Sequence, residues 1–229
     1  MDVINKPYKL ILTEVATLFE GLLSLMYASV PPHFDTSKIY INLYSETEEE
    51  LRLLNEGTIT GGTGYLLMPN NKKYKIDNSI FDFITPSLNH LPAFAFFSQA
   101  LRSLKENENE VAFFLFFRIL DGYFSFGAKD VKKELLKKEA ELKTFIPYDV
   151  KLINSLKIIL TEMGVPSESE KDYKGLITDI VFIRHKLTHF SSKQAKAHHS
   201  PSIKFELITV NSYLYSCCFN LLRSKLIPQ

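Results

Sequence analysis

A chain of 229 residues with a 45% apolar fraction, 18 Phe and 11 Tyr carries enough bulky side chains for a sizeable core, which excludes disorder as its overall state. Its net charge of +1 supplies no global field for nucleic acid or an anionic membrane, so any basic surface has to be local. The two cysteines, Cys217 and Cys218, are adjacent, a spacing that rarely meets disulfide geometry; they are expected as small core residues of a reduced, cytoplasmic protein.

Met1 to Pro7 lack a basic stretch followed by an apolar run, so no leader is expected. Pro7 suits the first turn of a helix, and Ile11, Val15, Leu18, Leu22 and Met26 repeat at three or four residues to about Ala28, before Pro31-Pro32 ends the pattern. Ile39, Ile41 and Leu43 then alternate with Tyr40, Asn42 and Tyr44, which predicts a strand. Ser45 with Glu48 is a capping pair and predicts a short helix through Leu54. The glycine cluster at Gly57, Gly61, Gly62 and Gly64 lacks the Lys-Ser/Thr pair of a phosphate loop and reads as a hairpin or flexible turn. Residues 1–76 therefore form an N-terminal region, one helix plus short strands.

From Asp77 onward the pattern is helical. Helices are expected over Leu91–Leu104, Val111–Phe126, Lys129–Lys143, Asp149–Met163, Asp172–His189 and from Pro201 to about Lys225. Val111–Phe126 is apolar nearly all round, which predicts a central helix; its 16 residues include Arg118 and Asp121 and fall short of the ~20 needed to span a bilayer. Those two charges, three apart, suggest an internal ion pair, with a place for Asp121 beside a basic cleft as the other reading. Lys129–Lys143 is highly charged, with Asp130/Glu134 and Lys137/Glu141 spaced by four. Gly164-Val165-Pro166 is a helix stop. The fold class expected is mainly α, a helical bundle over 77–229 with a small β-containing N-terminal region.

The chemistry concentrates in Arg184-His185-Lys186-Leu187-Thr188-His189. His185 and His189 have the four-residue spacing of a helical metal pair, with His198 or His199 as a third ligand, but Lys186 stands where a zinc protease carries Glu and no carboxylate lies between Asp179 and Glu206, so no metal or other cofactor is expected. Arg184 with His189 suits a phosphodiester: Arg offers planar, permanently charged donors, and His exchanges a proton near neutral pH. Chance alone gives about 0.4 such pairs per chain at this content of Arg and His, so its setting matters more than its existence. Residues 180–205 hold Arg184, Lys186, Lys193, Lys196 and Lys204 and four of the six histidines, with no carboxylate, a local basic stretch suited to nucleic-acid phosphates or, more blandly, a solvated helix end.

With those residues in place the sequence resembles the HEPN superfamily, short helical bundles with an Arg-x(4–6)-His motif at the end of a late helix and a polar residue after the Arg. Arg184, His185 and His189 match that pattern, Phe117-Arg118-Ile119-Leu120-Asp121-Gly122-Tyr123 resembles a polar-marked central helix, and the likeness covers about residues 90–229. The resemblance implies a metal-independent endoribonuclease acting as a homodimer. Catalytic Arg184 and His189, which sit about 140° apart on one straight helix, would then meet the second copy's pair in one cleft. It implies auxiliary roles for His185 and Asp121, RNA contacts from Lys186, Lys193 and Lys196, products with a 2′,3′-cyclic phosphate, and a setting in toxin–antitoxin or antiviral defence systems with an antitoxin partner. The other reading is a non-catalytic helical module for dimerisation or for nucleotide or protein binding.

Overall fold

The computed structural model describes residues 14, 16–18, 20–22, 25, 38–46, 51–60, 89–188 and 200–226, the two segments within 38–60 as backbone. The chain divides into two compact units, Met1–Leu91 and Pro92–Gln229. The protein is mainly helical. Among the described residues no helix is long and apolar enough to cross a membrane.

In the first unit, the described positions between 14 and 25 are helical, and Leu18, Leu22 and Leu25, spaced by four and three, are buried. Two strands, β1 (Lys38–Glu46) and β2 (Leu51–Thr60), pair antiparallel, with Lys38 opposite Thr60 and Glu46 opposite Leu51. Leu51 to Leu54 thus stand in a strand, where the Ser45/Glu48 capping pair predicted a helix. A capping pair marks a helix start only when a 3.6-residue apolar run follows, and none does here.

The second unit is a bundle of helices: α1 (Leu91–Lys105), α2 (Asn109–Leu120), α3 (Val131–Lys137), α4 (Glu139–Leu142), α5 (Val150–Glu162), α6 (Tyr173–Thr188) and α7 (Pro201–Leu226). Helix α2 is central because it has no polar face: Ala112, Phe113, Leu115, Phe116, Phe117, Ile119 and Leu120 are all buried. Helix α7 packs on α2 and α5, α6 packs on α5 and α2, and α3 lies against α6. Aromatic edges join the layers. Phe97 of α1 meets Phe116 of α2 at 6.1 Å and stacks on Tyr215 of α7 at 5.7 Å, distances at which such pairs add to simple area burial. Cys217 and Cys218 are free thiols, fully buried on α7.

The predicted helix 111–126 is interrupted. After Leu120 the chain widens into a π-helical turn, Asp121–Ser125, in which the Ser125 hydroxyl donates to the Asp121 carbonyl at 2.9 Å and to the Asp121 carboxylate. Phe126 and Gly127 then adopt left-handed backbone, with φ of 52° and 68°. The predicted helix 129–143 is also split, at Lys138, whose φ of −99° and ψ of 17° leave the α region. That break realigns the ion pairs: Lys137 meets Glu134 at 2.7 Å and Lys138 meets Glu141 at 3.6 Å, in place of the expected Lys137/Glu141.

The stop after α5 is built as its residues predict. The Val165 N–H donates to the Leu160 carbonyl and the Gly164 N–H to Thr161, closing a left-handed cap around Gly164 at φ 71°. The loop that follows is pinned to α6. Buried Asp179 accepts from the Ser167 hydroxyl at 2.6 Å, the Glu168 N–H at 3.0 Å and the Ser169 N–H at 2.8 Å. Gly175 allows this approach, since a Cβ there would lie 2.0 Å from the Glu168 carbonyl oxygen. Asp172 caps the first turn of α6 through the Gly175 N–H at 2.8 Å, so the loop and two carboxylates together set where α6 starts and how it lies on the bundle.

Candidate functional site

Helix α6 carries the basic motif on its last turns. Ile177, Ile180, Ile183 and Leu187 face the core, which places Arg184 and Lys186 at its margin and leaves His185 exposed. The Arg184 guanidinium lies over the ring of Phe117, 5.7 Å from its centroid. Phe117 belongs to the central helix and is itself buried, so the guanidinium is held against a fixed apolar surface. Ion pairs and side-chain hydrogen bonds to this guanidinium are absent among the described residues. Its fork of donors is therefore not consumed by this chain's described carboxylates. Lys186 lies over Phe182 at 5.1 Å, one turn earlier on the same helix. The Thr188 hydroxyl donates back to the carbonyls of Arg184 at 3.0 Å and His185 at 2.9 Å, so two carbonyls of the last turn have a local partner.

Arg184 and His185 open onto a cavity of about 530 Å³ between α6 and the start of α3. Thr178, Val181 and Phe182 of α6 form one wall; Lys129, Asp130, Val131 and Lys132 form the other. A second open cavity of about 470 Å³ shares Asp130 and Lys132 with the first and continues to Lys133, Lys137 and Lys174. Among the lining side chains Asp130 is the one carboxylate, and it is engaged as the cap of α3, accepting from the Lys133 N–H at 3.1 Å. Lys137 is paired with Glu134, and Lys174 stands 4.0 Å from Glu139. Such exposed pairs are weak and exchange readily for a phosphate. The two cavities together make a basic groove along α3 and α6 on a protein of almost no net charge.

The sequence-derived residues are thus distributed unevenly. Arg184 and His185 share a cavity, and Lys186 lies on the same helix end. His189 of the expected catalytic pair, Lys193, Lys196, His198 and His199 lie outside the described residues. Among the described residues no three His, Cys, Asp or Glu side chains gather to hold a metal. The internal ion pair of α2 is corrected: Arg118 lies over the Phe96 ring at 5.2 Å, while Asp121 accepts from Ser125. Asp121 keeps α-helical backbone, with φ of −56° and ψ of −46°, but its carboxylate is taken up by the Ser125 hydroxyl one turn later instead of by Arg118 one turn earlier. Asp121 lines neither cavity.

The sequence alone does not single out Lys129, Lys132, Lys133 or Lys174. Their only sequence signal is cation excess, three lysines within 129–133; that Lys129 and Lys132 share a cavity with Arg184 follows from α3 lying on α6. No family model, curated protein or solved structure matches this chain.

Proposed function

We propose that the chain is an HEPN-like, metal-independent endoribonuclease, a helical bundle over 77–229 with a small β-containing N-terminal region over 1–76, acting as a cytoplasmic homodimer in a toxin–antitoxin or antiviral setting. The observation that carries this reading is Arg184. It is a permanently charged fork held on a buried ring and shares an open, lysine-rich cavity with His185. Those are the properties of a phosphate anchor. In the proposed reaction the ribose 2′ oxygen attacks the adjacent phosphorus and the bond to the departing 5′ oxygen breaks, leaving a 2′,3′-cyclic phosphate and a 5′-OH. One proton leaves the 2′-OH and one reaches the 5′ oxygen. His189 of each copy performs one of these transfers, and Arg184 stabilises the charge that builds on the phosphoryl oxygens. His185 positions the substrate, and Lys186, Lys193 and Lys196 add contacts to flanking phosphates.

Support for a second copy comes from α7, where Phe205 and Ile208, one turn apart, are 69% and 51% exposed. Purified protein incubated with total RNA, with end-group analysis of the fragments, tests the reading. Arg184→Ala and His189→Ala should each lower cleavage by about 10²–10⁴-fold with an unchanged circular dichroism spectrum, and His185→Ala should do less. Cleavage should persist in chelator, and DNA should resist because it lacks the 2′-OH. Activity that chelator abolishes, or that survives the double Arg184/His189 substitution, defeats the mechanism.

A further inference from the structure

Phe126 is the most exposed large apolar side chain of the described residues, at 82%. Its backbone is left-handed, with φ of 52°, a conformation that a bulky residue adopts only when its surroundings impose it. The imposing elements are the π-helical turn before it, closed by Ser125 on Asp121, and Gly127 after it, also left-handed. The chain therefore holds an aromatic ring out in solvent. Three residues later Lys129 lines the basic groove with Arg184, so the Cα of Phe126 lies within about 11 Å of that wall, the limit of three extended residues. Beyond Lys129 the groove runs on past Lys132, Lys133 and Lys174.

A positively charged track with an exposed aromatic ring three residues from its wall fits a single polynucleotide strand. The backbone follows the cations, and an unpaired base covers the ring. A duplex offers no free base to stack, and an acidic peptide has no use for a projecting planar ring. We propose that the α3–α6 groove binds single-stranded RNA, with Lys132, Lys133 and Lys174 on consecutive phosphates and a base stacked on Phe126. This rests on reading the Arg184 end as an RNA-cleaving site, and it assigns the path by which the strand reaches that site.

The test uses the full chain and a fluorescein-labelled 2′-O-methyl uridine 12-mer, which has no free 2′-OH and cannot be cleaved, read by anisotropy across a salt series. Phe126→Gly suits the left-handed backbone and keeps the fold, yet should weaken binding roughly tenfold, while Phe126→Trp retains it. The triple variant Lys132→Gln/Lys133→Gln/Lys174→Gln should reduce the slope of log K against log salt by about 2, at about 0.7 for each lost phosphate contact. Lys151→Gln, on α5 and lining neither cavity, is the control and should bind as the wild type does. Total-RNA cleavage is followed in parallel. If the 12-mer binds but the Phe126 and lysine variants bind equally well, or if RNA is cleaved without any binding of the 12-mer, the groove assignment falls and the cleavage reading stands. If the wild type neither binds nor cleaves, both fall.

Discussion

At the scale of single residues, buried polar side chains with complete partners decide more than the ion pairs on the surface. Asp179 is the clearest case. It is almost wholly buried, and its carboxylate receives a hydroxyl and two backbone N–H groups from residues 167–169. Asp179→Ala leaves those donors without an acceptor, and an unsatisfied buried donor costs about 1–3 kcal/mol. A loss of about 3 kcal/mol in denaturant unfolding is expected. Gly175→Ala should destabilise comparably, because its Cβ would collide with the backbone of Glu168, which cannot move without breaking the bonds to Asp179. Unfolding midpoints within a few tenths of a kcal/mol of wild type for both variants would show that the loop is not held as described. Exposed pairs such as Lys157–Glu170, at 2.7 Å, should by contrast be removable at little cost.

At the scale of elements, α5 and α7 are tied by a bond that titrates. Asp149 caps α5 through the Lys151 N–H at 2.8 Å and accepts from the Tyr213 hydroxyl of α7. The Tyr213 bond, first, and the cap, second, hold the Asp149 carboxyl below its ordinary value of 3.8, while the same bond pushes the Tyr213 phenol from 10.0 up to about 12. The signs differ. A depressed carboxyl stabilises the fold above pH 3.8 and loses that contribution as pH falls through its lower folded value. A raised phenol stabilises the fold below pH 10.0 and loses its contribution as pH rises toward about 12. Tyr213→Phe should therefore flatten both limbs of the stability–pH curve while leaving the neutral plateau little changed in shape. An unaltered acid limb in that variant would contradict the tie.

What was legible in the sequence follows the same division. Helix starts and stops were readable wherever a cap or breaker announced them: Asp149 before α5, Gly164-Val165-Pro166 after it, Pro201 at the start of α7. The π-helical turn after Leu120 and the break at Lys138 were not, because both fall within runs whose helical residue pattern continues past them. Of the site, Arg184 and His185 were readable from residue type and spacing. The lysines of α3 were not, since they lie about 50 residues away in sequence and meet Arg184 only through the contact of α3 with α6.

At the scale of the whole molecule, the proposed chemistry requires a second copy. Residues five apart on one straight helix stand about 140° apart, so the proposed pairing of Arg184 with His189 calls for a cleft shared between two copies. Phe205 and Ile208 mark the face of α7 that would close the pair. Sedimentation at micromolar concentration should give twice the 26.3 kDa mass of the chain, and Phe205→Asp/Ile208→Asp should return it to the single mass with cleavage lost. A wild type that sediments as a monomer throughout would remove the composite cleft.

The paired thiols of α7 have a consequence of another kind. Cys217 and Cys218 are fully sealed, so neither sulfur meets a reagent from the folded state, and burial also raises the Cys218 thiol well above its usual range. Access needs α7 to lift from α2, where the Cys218 thiol also lies against the Phe116 carbonyl at 3.5 Å. Modification of these sulfurs therefore keeps time with the breathing of the core. The chain carries its own clock for the rare excursions in which its centre opens.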